Sequence, residues 1–196
     1  MYQNISNTAN IDPKVLDFFK MLHHAWRRIL ILDYDVTIAG KSSDPTQAIP
    51  SPETQARLDW IQYYARTRLV MVTERRAAEV SEILGMKRVE VWGRCGAERL
   101  RADGVYESYP KRTAPRDQGF AVSTILSEVG RHACIAYLGN DDGAFSALKG
   151  RGLRVLVRDQ FRPSDSDVWI GPSDGVAAFL GDWSAACEGN QLGWRN

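Results

Sequence analysis

The sequence predicts an α/β protein: a three-layer, doubly wound parallel sheet in a single domain. Three observations lead there. Short apolar runs recur at residues 29–32, 69–72, 89–92, 134–138 and 153–157. The segments between them carry apolar residues at helical spacing. The runs are apolar throughout rather than alternating, as in strands covered on both faces by crossover helices.

Each element has its own signal. Asp12-Pro13 opens a helix with Val15, Phe18, Phe19, Leu22 and Trp26 at helical spacing. The first strand, 29–32, ends at Asp33. Residues 40–52 are rich in Gly, Ser and Pro and read as loop. Ser51 caps the next helix, Pro52 suits its first turn, and Leu58, Ile61 and Ala65 face inward. After the strand 69–72, a helix with Ala77, Val80, Ile83 and Leu84 stops at Gly85. The strand 89–92 is followed by a β-hairpin over 97–109 around Asp103-Gly104. A basic loop, 110–116, leads to a helix with Phe120, Ile125 and Val129 inside. The strand 134–138 precedes a helix with Phe145 and Leu148 that ends at Gly150. A strand at 153–157, a sixth at 168–170 and a helix over 174–180 complete the pattern. Residues 1–11 read as a flexible arm, 12–185 as the core domain and 186–196 as a tail. Trp183 and Trp194 pack either on the body or on a partner.

Composition narrows the function. The chain has 196 residues, 25 basic and 24 acidic side chains, and a formal net charge of +1. That length suits one domain, and 44% apolar content supports a core without disulfides or structural metals. The balanced charge argues against nucleic-acid and membrane partners, because phosphate-rich surfaces reward excess Lys and Arg. No apolar run approaches the roughly 18 residues of a spanning helix. The polar N-terminus lacks the layout of a signal peptide. Cys95, Cys134 and Cys187 show neither a disulfide framework nor a zinc spacing. A cytoplasmic protein is expected.

In open parallel sheets, ligands bind outside the carboxyl ends of the strands. The first strand ends in Asp33-Tyr34-Asp35-Val36-Thr37, the second in Thr73-Glu74-Arg75 and the fourth in Gly139-Asn140-Asp141-Asp142. Two carboxylates spaced i, i+2 after a buried strand repel each other, and burial makes this worse. A hard divalent cation such as Mg²⁺ relieves that cost. A cation beside a carboxylate suits phosphate chemistry, where it screens charge and lets an anionic nucleophile approach.

These residues resemble the DxDxT signature of haloacid dehalogenase-type phosphatases. The surroundings resemble the trehalose-6-phosphate phosphatase branch of that superfamily. Residues 32–38 are similar to its first motif, with Val36 where Gly is usual. Ser51-Pro52-Glu53 with Leu58 resembles its next helix. Val72-Thr73-Glu74-Arg75 resembles its Val-Ser-Gly-Arg motif, and Gly96-Ala97-Glu98 its Gly-Ala-Glu segment. Tyr137-Leu138-Gly139-Asn140-Asp141 resembles its Tyr-Ile-Gly-Asp-Asp motif.

The resemblance implies roles. Asp33 is the nucleophile and Asp35 the general acid and base. Asp33, the Asp35 carbonyl and Asp141 hold Mg²⁺, with Asn140 or Asp142 as further ligands. Thr73 binds a phosphoryl oxygen, and Thr37 and Arg75 line the phosphate site. The substrate is a phosphomonoester, a sugar phosphate or something larger.

Two departures stand out. The family's third motif places a Lys at a helix start, where this chain has Gln118. A Gln donates a hydrogen bond but carries no charge. Lys111 or Arg116 could supply the cation, or both are solvated loop residues. The branch's sugar-gripping cap also has no room here, since only the hairpin and the basic loop occupy its place. An open site suits a larger substrate or a lid from a second copy, so a homo-oligomer is one expectation. A catalytically weak binding or regulatory protein is the alternative to an enzyme.

Overall fold

Every apolar run forms a strand, and the strands share one sheet. The computed structural model describes residues 12–38, 49–109 and 117–189. Among these are β1 (Arg27–Asp33), β2 (Thr67–Val72), β3 (Glu90–Gly93), β4 (Glu98–Leu100), β5 (Tyr106–Ser108), β6 (Ala133–Gly139), β7 (Leu153–Val157) and β8 (Val168–Ile170). Their order is β5-β4-β3-β2-β1-β6-β7-β8. The run from β3 to β8 is parallel, and β4 and β5 add antiparallel strands at one edge. Six helices among the described residues flank the sheet: α1 (Pro13–His24), α2 (Pro52–Tyr63), α3 (Ala77–Leu84), α4 (Gly119–Val129), α5 (Asp142–Leu148) and α6 (Asp174–Glu188).

Alternation along each strand sorts the core into two halves. Leu30, Leu32, Leu69 and Met71 face α1, α2, α3 and α6. Ile29, Ile31, Val70 and Val72 face α4 and α5. Because both faces are covered, a strand needs apolar residues at successive positions, which is why the runs are continuous. Capping fixes the helix starts: the Asp12 carboxylate accepts from Lys14 N at 2.8 Å and the Ser51 hydroxyl from Thr54 N at 3.2 Å. Gly85 ends α3 at φ +60°, a left-handed turn suited to glycine.

The predicted hairpin forms, and β4 pairs with β3, so it widens the main sheet. The structure corrects two expectations. Trp26 does not continue α1: the helix ends at His24, Ala25 turns to extended backbone, and Trp26 is 95% exposed. The closing helix does not stop at Leu180 but continues to Glu188. Trp183 is fully buried on the body, 6.1 Å from the Phe18 ring, and its Nε1 donates to the Thr67 hydroxyl at 3.1 Å. The arm, the basic loop with Lys111 and Arg116, and the chain after 189 lie outside the described residues.

Among the described residues, no helix is long and apolar enough to cross a membrane.

Candidate active site

β1 is central, between β2 and β6, and its last residue is Asp33. The chain then makes a single π-type turn, Tyr34–Ile38. Such turns are rare and often mark functional positions. Thr37 braces this one: its buried hydroxyl donates to the Asp33 carbonyl. The turn brings Asp35 back beside Asp33, and Asp35 N donates to Asp33 Oδ1 at 3.1 Å.

Asp33 is 3% exposed. Gln118, at the start of α4, donates from Nε2 to Asp33 Oδ2 at 2.9 Å. Tyr137, in β6, donates its hydroxyl to Gln118 Oε1 at 2.9 Å. The chain Tyr137–Gln118–Asp33 is therefore buried and oriented, yet every donor in it is neutral. Burial pushes the Asp33 carboxyl up to about 7; the Gln118 hydrogen bond opposes this, and the neighbouring Asp35 charge adds to it. Gly139 makes the arrangement possible, since a Cβ there would lie 2.3 Å from the Tyr137 hydroxyl and 2.8 Å from Asp33 Cβ.

Asp35 is held from the β2 side. The Thr73 hydroxyl donates to its Oδ2 at 2.7 Å, and Arg75 Nε donates to its Oδ1 at 3.0 Å. Arg75 also lies 5.7 Å from the Tyr34 ring centroid. The ends of β1, β2 and β6 and the start of α4 thus gather Asp33, Asp35, Thr73, Arg75 and Gln118. Thr37 serves the backbone of the turn.

The acidic motif after β6 divides. Asp141 caps α5, its Oδ1 accepting from Ala144 N at 2.7 Å. Its charge reaches the site, for Asp33 and Asp141 both add to the burial that raises the Tyr137 hydroxyl. Asp142 is 66% exposed at its side chain and bound by both terminal nitrogens of Arg162, at 3.0 and 2.9 Å. Arg162 also takes the Asn140 carbonyl at 2.7 Å. Among the described residues, no three His, Cys, Asp or Glu side chains are gathered as a metal cluster. Mg²⁺ commonly uses one or two carboxylates, with water and substrate oxygens completing its shell. Asp33 and Asp141 are carboxylates of that kind, and a cation beside the desolvated Asp33 carboxyl would relieve its cost of burial.

Two supports have no local sequence signal of their own role. Tyr137 stands inside the strand motif, and its bond to Gln118 spans two elements. Glu98 is buried, and its Oε1 accepts from Ala77 N at 2.6 Å. It thereby caps α3 from a different strand, where Arg76 offers no side-chain cap. The Gly-Ala-Glu segment held that signal. Nearby, Arg94, Cys95 and Gly96 are all left-handed, and Gly93 packs so closely that a Cβ would lie 2.4 Å from Ala77 N.

No family model matches the chain, and no curated protein matches it by sequence. Solved structures do match. A trehalose-6-phosphate phosphatase from Aspergillus fumigatus superposes with a TM-score of 0.74 and 16% identity, covering 93% of this chain and 100% of that one. The C-terminal domain of trehalose-6-phosphate phosphatase from C. albicans gives 0.75 and 13%, covering 91% and 99%. A haloacid dehalogenase-like hydrolase from B. subtilis gives 0.61 and 11%, covering 79% and 99%. At such identities the likeness is one of fold. The chain folds as the haloacid dehalogenase-type phosphatases do, with its candidate acids at the carboxyl ends of the central strands.

Proposed function

We propose that the chain is a Mg²⁺-assisted phosphomonoester hydrolase of the haloacid dehalogenase type. The supporting observation is the pairing of Asp33 and Asp35 at one strand end, each held by its own donors. Asp33 attacks phosphorus in line, forming an aspartyl-phosphate as the ester oxygen leaves. Asp35 gives that oxygen a proton, then takes one from the water that attacks the acyl phosphate and frees Asp33. Thr73 and Arg75 orient Asp35; with substrate bound, the Thr73 hydroxyl would turn from Asp35 to a phosphoryl oxygen and Arg75 would donate a further N–H. Bound Mg²⁺ would supply positive charge between the nucleophile and the phosphoryl group. Asp33, Asp141 and the Asp35 backbone would hold it.

A sugar phosphate is the substrate class suggested by the names of the similar structures. Between β3 and α4 the chain has only the hairpin and residues 110–116, which favours an open site and a larger ester, or a second copy as lid. The test is Mg²⁺-dependent hydrolysis of an aryl phosphate by the parent and by Asp33→Asn. The expected outcome is turnover in the parent only. Equal rates across a broad phosphate-ester panel overturn the reading.

Gln118 favours a second reading, a phosphate-binding regulatory protein with weak turnover, because a neutral amide stands where a cation would stabilise the transition state. Gln118→Lys is expected to raise kcat on the order of 10²–10³-fold. A phosphate analogue bound with Mg²⁺, without turnover in the parent or in Gln118→Lys, supports the second reading.

A further inference from the structure

We propose that the protein has a second anion site, at the end of the sheet opposite Asp33, that takes a small hydroxyl-bearing phosphate ester. Asp33 pairs with Val72 at the end of β2, whereas Thr67 and Arg68 begin that strand, about 17 Å away at 3.3–3.4 Å per residue. A cavity of about 690 Å³ lies there, among the loops that enter β2 and β3, the hairpin tip and the end of α4. That volume is in the usual range for small-molecule sites.

Its lining is dominated by guanidinium groups: Arg66, Arg68, Arg88, Arg99 and Arg101 face three acids, Glu90, Glu128 and Asp103. The acids are already used. Glu90 and Glu128 bind Arg68 and Arg99, and Asp103 pairs with Arg101. Arg66 and Arg88 have no ion pair among the described residues. Both are exposed at the cavity and carry planar forks suited to a phosphate dianion.

The backbone adds an independent observation. Arg66 has φ +49° and Arg88 φ +65°, a region that Gly or Asn occupies with less strain than Arg. Folding alone would be better served by either of those residues at both positions. Strain of this kind gathers at ligand clamps. Gln62 also lines the cavity, and its side-chain amide offers both a donor and an acceptor to a ligand hydroxyl. The ligand therefore combines an anionic group with a hydroxyl.

The same strain makes the test clean. Arg66→Gly with Arg88→Gly removes both charges while relaxing the backbone, so melting is expected at the parent temperature or above. Arg66→Asn with Arg88→Asn removes the charges by a second route, with a residue that also tolerates left-handed backbone. The probe is ribose 5-phosphate, titrated calorimetrically in EDTA into the parent, both double variants and Asp33→Asn. The expected result is saturable binding that each arginine double variant weakens at least about tenfold, and Asp33→Asn leaves unchanged. Lack of saturation by about 10 mM in the parent overturns the proposal. So does binding that the arginine variants leave intact, which would put the ester at the Asp33 end. Either result is independent of whether the chain hydrolyses phosphate esters.

Discussion

Asp33 has lost nearly all its water and received a neutral amide in exchange. Its carboxyl, at 3.8 when unfolded and about 7 when folded, binds a proton more tightly in the native state. Between those values the folded chain carries the extra proton. The group's contribution is therefore most favourable below about pH 4 and is lost as pH rises through 7. A gap of about three units corresponds to about 4 kcal/mol. In EDTA, the melting temperature of the parent is expected to fall relative to Asp33→Asn between pH 5 and 8. Parallel melting curves would sink this account. The acids themselves were legible in the sequence, since Asp33 and Asp35 stand at a strand end. The consequence of Gln118 was legible as a missing charge. Its hydrogen bond to Tyr137 was not, because it joins residues 19 apart on α4 and β6.

At the level of elements, the apolar runs located every parallel strand within about two residues, the usual uncertainty at element ends. The failures have physical causes. Trp26 continues the helical spacing of α1, but the chain must turn extended at Ala25 to enter β1. The last helix, expected over 174–180, runs on through Gly181, where a Cβ would come within 3.0 Å of Arg57 Nη1. Glycine there serves the contact between α2 and α6, and the helix continues to bury Trp183. Trp183→Ala is expected to destabilise the fold by about 3–5 kcal/mol, measured by urea unfolding. A loss below about 1 kcal/mol would show that α6 docks without its indole.

Across the whole molecule, a partly buried charge network ties the hairpin to the sheet and to α4. Arg99 donates to Glu90 at 2.9 Å and to Glu128 at 2.7 Å, while its guanidinium lies 4.9 Å from the Trp92 ring centroid. Arg68 binds the same two acids, at 2.8 and 2.7 Å. Nothing in local sequence pairs these residues, since Arg68 and Glu128 are 60 positions apart. Arg99→Met takes one of two arginine partners from the buried Glu90 and from the more exposed Glu128, so a loss of about 1–3 kcal/mol is expected in urea unfolding. A neutral result would mean that Arg68 alone compensates both acids.

The hairpin and β8 have one more consequence. The sheet begins with a three-residue strand and ends with another, Tyr106–Ser108 and Val168–Ile170. An approaching chain meets only a few free N–H and C=O groups at either border, too short a template to propagate pairing. The long apolar strands that make the fold readable lie in the middle of the sheet, away from those short borders.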